Sequence, residues 1–119
     1  MNNGIFPQNA TRIRWESRRS LAFGALNNTY QGLGAAITTP ARMIKIVNTT
    51  NADIDISLDG ITDMDIAPAS SAFIYDFASN KSTNGGNLCL ATGDRFYVKT
   101  AGAPTSGAVY LVVIYGSAV

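Results

Sequence analysis

A chain of 119 residues that is 46% apolar and only 14% charged can bury one core and is too apolar for a disordered tail. The absence of histidine excludes Ser-His-Asp and Cys-His nucleophiles and His-ligated zinc, and the single cysteine, Cys89, excludes an intrachain disulfide and thiolate metal sites. The net charge of +1 is unevenly spread: residues 1 to 20 carry four Arg and one Glu, whereas residues 21 to 119 carry five basic and seven acidic side chains.

Residues 1 to 11 have no periodicity and carry turn formers, which predicts an extended arm. Arg12-Ile-Arg-Trp-Glu-Ser-Arg-Arg19 continues it, basic throughout, so residues 1–19 are expected to be an arm and residues 20–119 a folded domain. Leu21, Phe23 and Ala25 fall on one face of a predicted strand that Asn27-Asn28 ends. Tyr30 to Ile37, rich in Gly and Ala, reads as a short edge strand closed by Pro40.

Arg42 to Gly60 has the strongest pattern. Ile44 and Ile46 share one face, then Ile54, Ile56 and Leu58 share another, with Asp53, Asp55 and Ser57 pointing away. Asn48-Thr-Thr-Asn51 and Asp59-Gly60 supply turns, so the expectation is an amphipathic hairpin with one wet face. Ile61 to Ile66 alternates weakly. Phe73, Tyr75 and Phe77 then alternate with Ala72, Ile74 and Asp76, placing the aromatics on one face.

Ser79 to Asn87 is the longest polar loop. Leu88 to Leu90 and Arg95 to Lys99 are short predicted strands, the second with Phe96 and Val98 on one face. Cys89, between two leucines, is expected to be a packed thiol. Val109 to Tyr115 is a continuous β-branched run, the pattern of a strand buried on both faces. Roughly seven to nine short strands with turns about every ten residues, and no capped helical window, predict an all-β protein: an antiparallel β-sandwich or jelly roll with an extended N-terminal arm.

Candidate chemistry is sparse. Asp53-x-Asp55-x-Ser57 opens like an EF-hand loop, but its Gly stands two places late and no Glu closes it. No cofactor or metal is expected, nor any paired-carboxylate hydrolase, and no enzymatic activity. Asn-x-Ser/Thr triplets at Asn9, Asn27, Asn48 and Asn80 are expected to be chance matches in an Asn- and Thr-rich chain. No leading segment combines a basic start with an apolar stretch, and the longest apolar run is too short for a membrane-spanning helix, so cytosolic synthesis without a membrane partner is expected.

The feature that folding explains least is the arm, with Arg12, Arg14, Trp15, Arg18 and Arg19. Arg and Trp are enriched where interfaces concentrate their binding energy, and guanidinium groups pair with carboxylates and phosphates. Four Arg on a body that is not basic favour docking on protein over specific nucleic-acid binding. The competing reading is an edge strand with solvated Arg side chains. A further class is a glycan-binding module using Tyr30, Tyr75, Tyr97 and Tyr110, though alternation assigns Tyr75 to the core.

From Ser20 onward the chain resembles small structural proteins of tailed-bacteriophage virions. The likeness rests on Ser20-Leu-Ala-Phe-Gly-Ala25 with Tyr30, on Pro40-Ala-Arg-Met-Ile-Lys-Ile-Val-Asn-Thr-Thr-Asn51 and on Ile56-Ser-Leu-Asp-Gly60. It continues through Tyr75-Asp-Phe-Ala-Ser-Asn-Lys81, Tyr97-Val-Lys99 and Gly107-Ala-Val-Tyr-Leu-Val-Val-Ile-Tyr115. The resemblance implies a non-enzymatic β-sandwich located in the virion and assembled in the host cytoplasm, and it carries over no functional residues. Its expected role is capsid decoration, or cementing, by bridging subunits of the major capsid protein. The alternative is a neck or tail adaptor contacting neighbouring virion proteins. Either role suits a homo-oligomer, with a trimer as one candidate state.

Overall fold

The computed structural model describes residues 11–77 and 89–118. Among these, nine strands form two antiparallel sheets packed face to face, and no α-helix occurs. The strands are β1 (Thr11–Trp15), β2 (Arg19–Ala22), β3 (Gln31–Gly32), β4 (Ala41–Asn48), β5 (Ile54–Ser57), β6 (Asp65–Ala67), β7 (Ser71–Asp76), β8 (Tyr97–Lys99) and β9 (Ala108–Ala118). A 3-10 turn at Phe23–Ala25 follows β2. The polar loop expected at Ser79 to Asn87 and the first ten residues of the arm lie outside the described residues.

One sheet runs β1-β9-β4-β7, with β2 also on β9, and the other runs β3-β8-β5-β6. Consecutive strands β4 and β5 therefore do not pair. The hairpin expected over Arg42 to Gly60 is instead an arch: β4 lies in the first sheet and β5 in the second. Alternation alone cannot separate the two arrangements, because an arch and a hairpin present the same apolar periodicity. The discriminating feature is the connector. The Asn48 amide nitrogen donates to the carbonyls of Ala52, Ala67 and Pro68 at 2.9, 3.0 and 3.1 Å. Its oxygen accepts from the Thr50 amide at 2.9 Å and the Thr50 hydroxyl at 2.6 Å. Both residues are buried, and Asn48 in the first sheet is thereby tied to Ala67 in the second.

The core lies between the sheets. Ile44 and Ile46 of β4 and Val109, Leu111 and Val113 of β9 face Ile54 and Ile56 of β5, Ala67 of β6 and Val98 of β8. Leu26, Leu33, Ile37 and Phe96 close the flanks from loops. Each fully buried aliphatic side chain contributes on the order of 1.5–3 kcal/mol, which makes this interlayer the main source of stability. Phe73, Tyr75 and Phe77 line the inner side of β7 as alternation predicts, with Phe73 and Tyr75 edge to face at 5.2 Å.

Several local expectations are corrected. The strand predicted over Tyr30 to Ile37 shrinks to β3, and Leu90 makes a single bridge to Ala41. Cys89 is exposed while its neighbour Leu90 is buried, because adjacent side chains of an extended segment point opposite ways. Ser57, expected on the wet face, is buried. Its hydroxyl donates to Asp59 Oδ1 at 2.7 Å and accepts the amides of Asp59 and Gly60, organising the Asp59-Gly60 turn. Gly60 there has φ 74°, as that turn requires. At the other end of the arch, Gly107 (φ 86°) lies so close to the Thr49 carbonyl that a Cβ would sit 2.3 Å from its oxygen.

Replacing Asn48 with Ala removes its bond to the Ala67 carbonyl and the acceptor of the buried Thr50 amide and hydroxyl, while the Ala52 and Pro68 carbonyls keep the Thr50 and Ser71 hydroxyls. The expected loss is about 2–4 kcal/mol in urea unfolding with an unchanged m-value. Asn51→Ala, at an exposed connector position, should lose no more than about 1 kcal/mol. Equal losses would show that the corner is not what holds the arch.

Candidate functional site

The five residues singled out in the arm do not form one free segment. β1 pairs antiparallel with the second half of β9, Trp15 opposite Ile114, and β2 pairs with the first half, Arg19 opposite Leu111. Residues 11–22 thus run along a single sheet edge with a break at Glu16 to Arg18, and β2 crosses the boundary expected between Arg19 and Ser20.

The break is held by an ion pair whose side chains are largely covered. Arg19 Nη2 lies 2.8 Å from Glu16 Oε1, with side-chain exposures of 9% and 6%. Arg19 also donates to the carbonyls of Ser17, Ala35 and Ala36 at 2.9, 3.2 and 2.9 Å. Glu16 accepts the amides of Thr38 and Thr39 at 3.1 and 2.9 Å and the Thr39 hydroxyl. Burial alone would raise the Glu16 pKa. The hydrogen bonds from Thr39, Arg19 and Thr38, with the Arg19 charge, outweigh it and hold the carboxyl below its ordinary value. Arg19 therefore pins the edge to the 35–39 loop from inside the protein and presents no surface for docking. Glu16, which the sequence pattern registers only as one acid among arginines, is its necessary partner.

The other four residues are exposed. Arg14 Nε donates to Ser117 Oγ at 3.3 Å, and the Arg18 guanidinium lies over the Tyr110 ring at 5.4 Å. Trp15 is 62% exposed. The strand registers place Ile13 and Trp15 on the same face as Tyr110, Val112 and Ile114 of β9 and Met43, Lys45 and Val47 of β4, and that face continues to Ala72 and Ile74 of β7. β9 is accordingly buried on one face only: Val109, Leu111 and Val113 point into the core, and the intervening residues look outward. The expectation of burial on both faces is corrected here, since among the described residues no element of the second sheet reaches around the first. The outer face of the five-stranded sheet is apolar over most of its width, with Lys45 and Asp76 as its charged positions on β4 and β7. An exposed apolar sheet face of this kind marks an interaction surface.

Asp53 and Asp59 of the arch and Asp63 after it are committed to internal contacts. Asp53 accepts the Ala69 amide at 3.0 Å. Asp59 accepts the Ile61 and Thr62 amides at 2.8 and 2.7 Å, and the bonds from Thr62, Ser57 and Ile61 hold its carboxyl well below the usual carboxylate range. Asp63 accepts the Tyr30 hydroxyl at 2.5 Å and lies 3.1 Å from Lys99 Nζ, and both contacts lower its pKa. Burial, then the Asp63 hydrogen bond and the charges of Asp63, Asp55 and Asp59, push the Tyr30 phenol above its ordinary value. The four tyrosines considered for glycan binding do not share a face. Tyr110 is on the outer face of the first sheet, Tyr75 packs on the core and donates to Asp65, and Tyr30 and Tyr97 belong to the second sheet's side. A cavity of about 300 Å³ lies between the sheets against Ile56, Leu58, Met64, Tyr75, Phe77 and Phe96, apolar apart from Ser57 and Asp65.

The fold is thus that of an antiparallel β-sandwich with an open apolar outer face. No protein-family model matches the sequence, and no curated protein matches it. A similar solved structure is the SPP1 Dit protein, described as a paradigm of the hub adsorption apparatus in Gram-positive infecting phages. It shows 10% sequence identity and a TM-score of 0.38 over 87% of this chain and 49% of the other, so this chain spans about half that protein's length.

The Glu16 ion pair predicts acid sensitivity. A carboxyl whose folded pKa is depressed contributes stability that is fully present above its unfolded value, about 4.3, and lost as pH falls through the lower folded value. Glu16→Gln should cost about 3 kcal/mol at pH 7, because it leaves Arg19 buried without its counter-charge. The gap to wild type should narrow in urea titrations as the pH drops below 4.3.

Proposed function

We propose that this chain is a non-enzymatic structural protein of a tailed-bacteriophage virion, and within the particle a capsid decoration protein that bridges capsid subunits. One observation carries the reading: β1 forms the outer edge of the five-stranded sheet, with Arg12 and Arg14 exposed along it and Arg19 locked inside. An edge strand offers backbone donors and acceptors to a neighbouring chain, and its guanidinium groups can pair with carboxylates on that neighbour. The wording of the sequence from Ser20 onward supports the same assignment through its resemblance to virion components. The major capsid protein is the proposed partner, and the virion the proposed location.

Deleting residues 1–19 would strip out β1 together with Glu16 and Arg19, so it tests the fold rather than the contact. The cleaner variant is Arg12→Ser with Arg14→Ser, which should keep the wild-type unfolding free energy within about 0.5 kcal/mol and weaken association with purified particles about tenfold or more. Quantitative mass spectrometry of gradient-purified virions should find the protein at a copy number comparable to the major capsid protein. A single ring's worth of copies would move the assignment to the neck or tail, and absence from virions would remove it.

A further inference from the structure

The outer face of the five-stranded sheet carries a knob and a hollow of matching chemistry. The knob is Trp15, 62% exposed at the β1 edge. The hollow, about 230 Å³, lies on the same face and is lined by Arg18, Lys45, Val47, Tyr110 and Val112. Its floor is aliphatic and its rim holds two cations, one of them already stacked on Tyr110. This is the lining that accepts an indole: apolar contact for the ring body and cations for the negative π face.

From this juxtaposition we infer that two copies of the chain pair face to face about a two-fold axis, each seating its Trp15 in the other's hollow. A two-fold interface requires one surface that holds both halves of every contact, and this face holds both. Its size is sufficient. Four strands spaced about 4.8 Å apart and about eight residues long at about 3.4 Å per residue give a face of about 500 Å². Two such faces bury about 1,000 Å², the lower bound for a specific interface. Stacking a second sheet on this one also reproduces the packing that the inner face already uses, with sheets about 10 Å apart. The apolar composition fits a second copy better than a charged partner, since interfaces between identical chains are the more apolar kind. The inference concerns the isolated protein and does not rest on the virion assignment: pairing through Trp15 leaves the Arg12 and Arg14 edge open, and each contact can fail without the other.

Trp15 is the single tryptophan of the chain, so its emission reports the contact directly. The full-length protein should sediment as a concentration-dependent dimer, and its tryptophan emission should shift to the blue over the same concentration range. Val112→Glu, which puts a charge on the hollow floor and leaves the Trp15 indole in place as the probe, should abolish both the dimer and the shift. Lys45→Glu, at an exposed position that cannot unfold the core, should weaken pairing, and Trp15→Ala should weaken it about thirtyfold or more, the loss typical of a buried anchor residue. A protein that stays monomeric at millimolar concentration overturns the inference. So does an oligomer whose tryptophan emission does not move, or one that Lys45→Glu and Val112→Glu both leave intact.

Discussion

The buried side chain of Asn48 sets the geometry on which the rest of this structure depends. A chain leaving one sheet and entering another must bend where its backbone groups lose their ladder partners, and buried carbonyls without donors are costly. The Asn48 amide supplies donors to Ala52, Ala67 and Pro68 at this bend, while its oxygen takes the Thr50 amide and hydroxyl. The bend is thereby joined to both sheets. Once β4 and β5 are forced apart, the apolar faces of Ile44, Ile46, Ile54 and Ile56 meet across the interlayer rather than along one sheet.

A second buried polar group sets the edge. The Glu16–Arg19 pair is largely withdrawn from solvent and surrounded by hydrogen bonds to the 35–39 loop, so it specifies where β1 ends and β2 begins. Arg19 faces inward because Leu111, directly opposite it on β9, faces inward. Trp15, opposite Ile114, faces outward for the same reason. The register of one strand pair therefore divides the basic segment into a structural arginine and an exposed aromatic. The exposed Trp15 beside the outer sheet face and the inward Arg19 both follow from that division.

How much of this was legible beforehand varies by element. The alternation of Phe73, Tyr75 and Phe77, the Asp59-Gly60 turn and the all-β character were readable, because each depends on the two-residue period or on a local turn preference. The arch was not, since Asn48-Thr-Thr-Asn51 is as good a hairpin turn as a corner. Nor was the outward face of Tyr110, Val112 and Ile114: a run of β-branched residues reads as buried on both sides, and only the extent of the second sheet decides whether a cover exists. Cys89 reads as a packed thiol from its apolar sequence neighbours, although alternation puts it on the opposite side from the buried Leu90.

By itself, then, the sequence determined the fold class, the positions of most strands and turns, and the absence of histidine chemistry, because these depend on composition and short-range periodicity. The tertiary structure decided which strands share a sheet, which arginine turns inward and which apolar face looks away from the second sheet. Those outcomes depend on long-range register, and a one-residue slip in the pairing of β1 or β2 with β9 would exchange every inward side chain for an outward one.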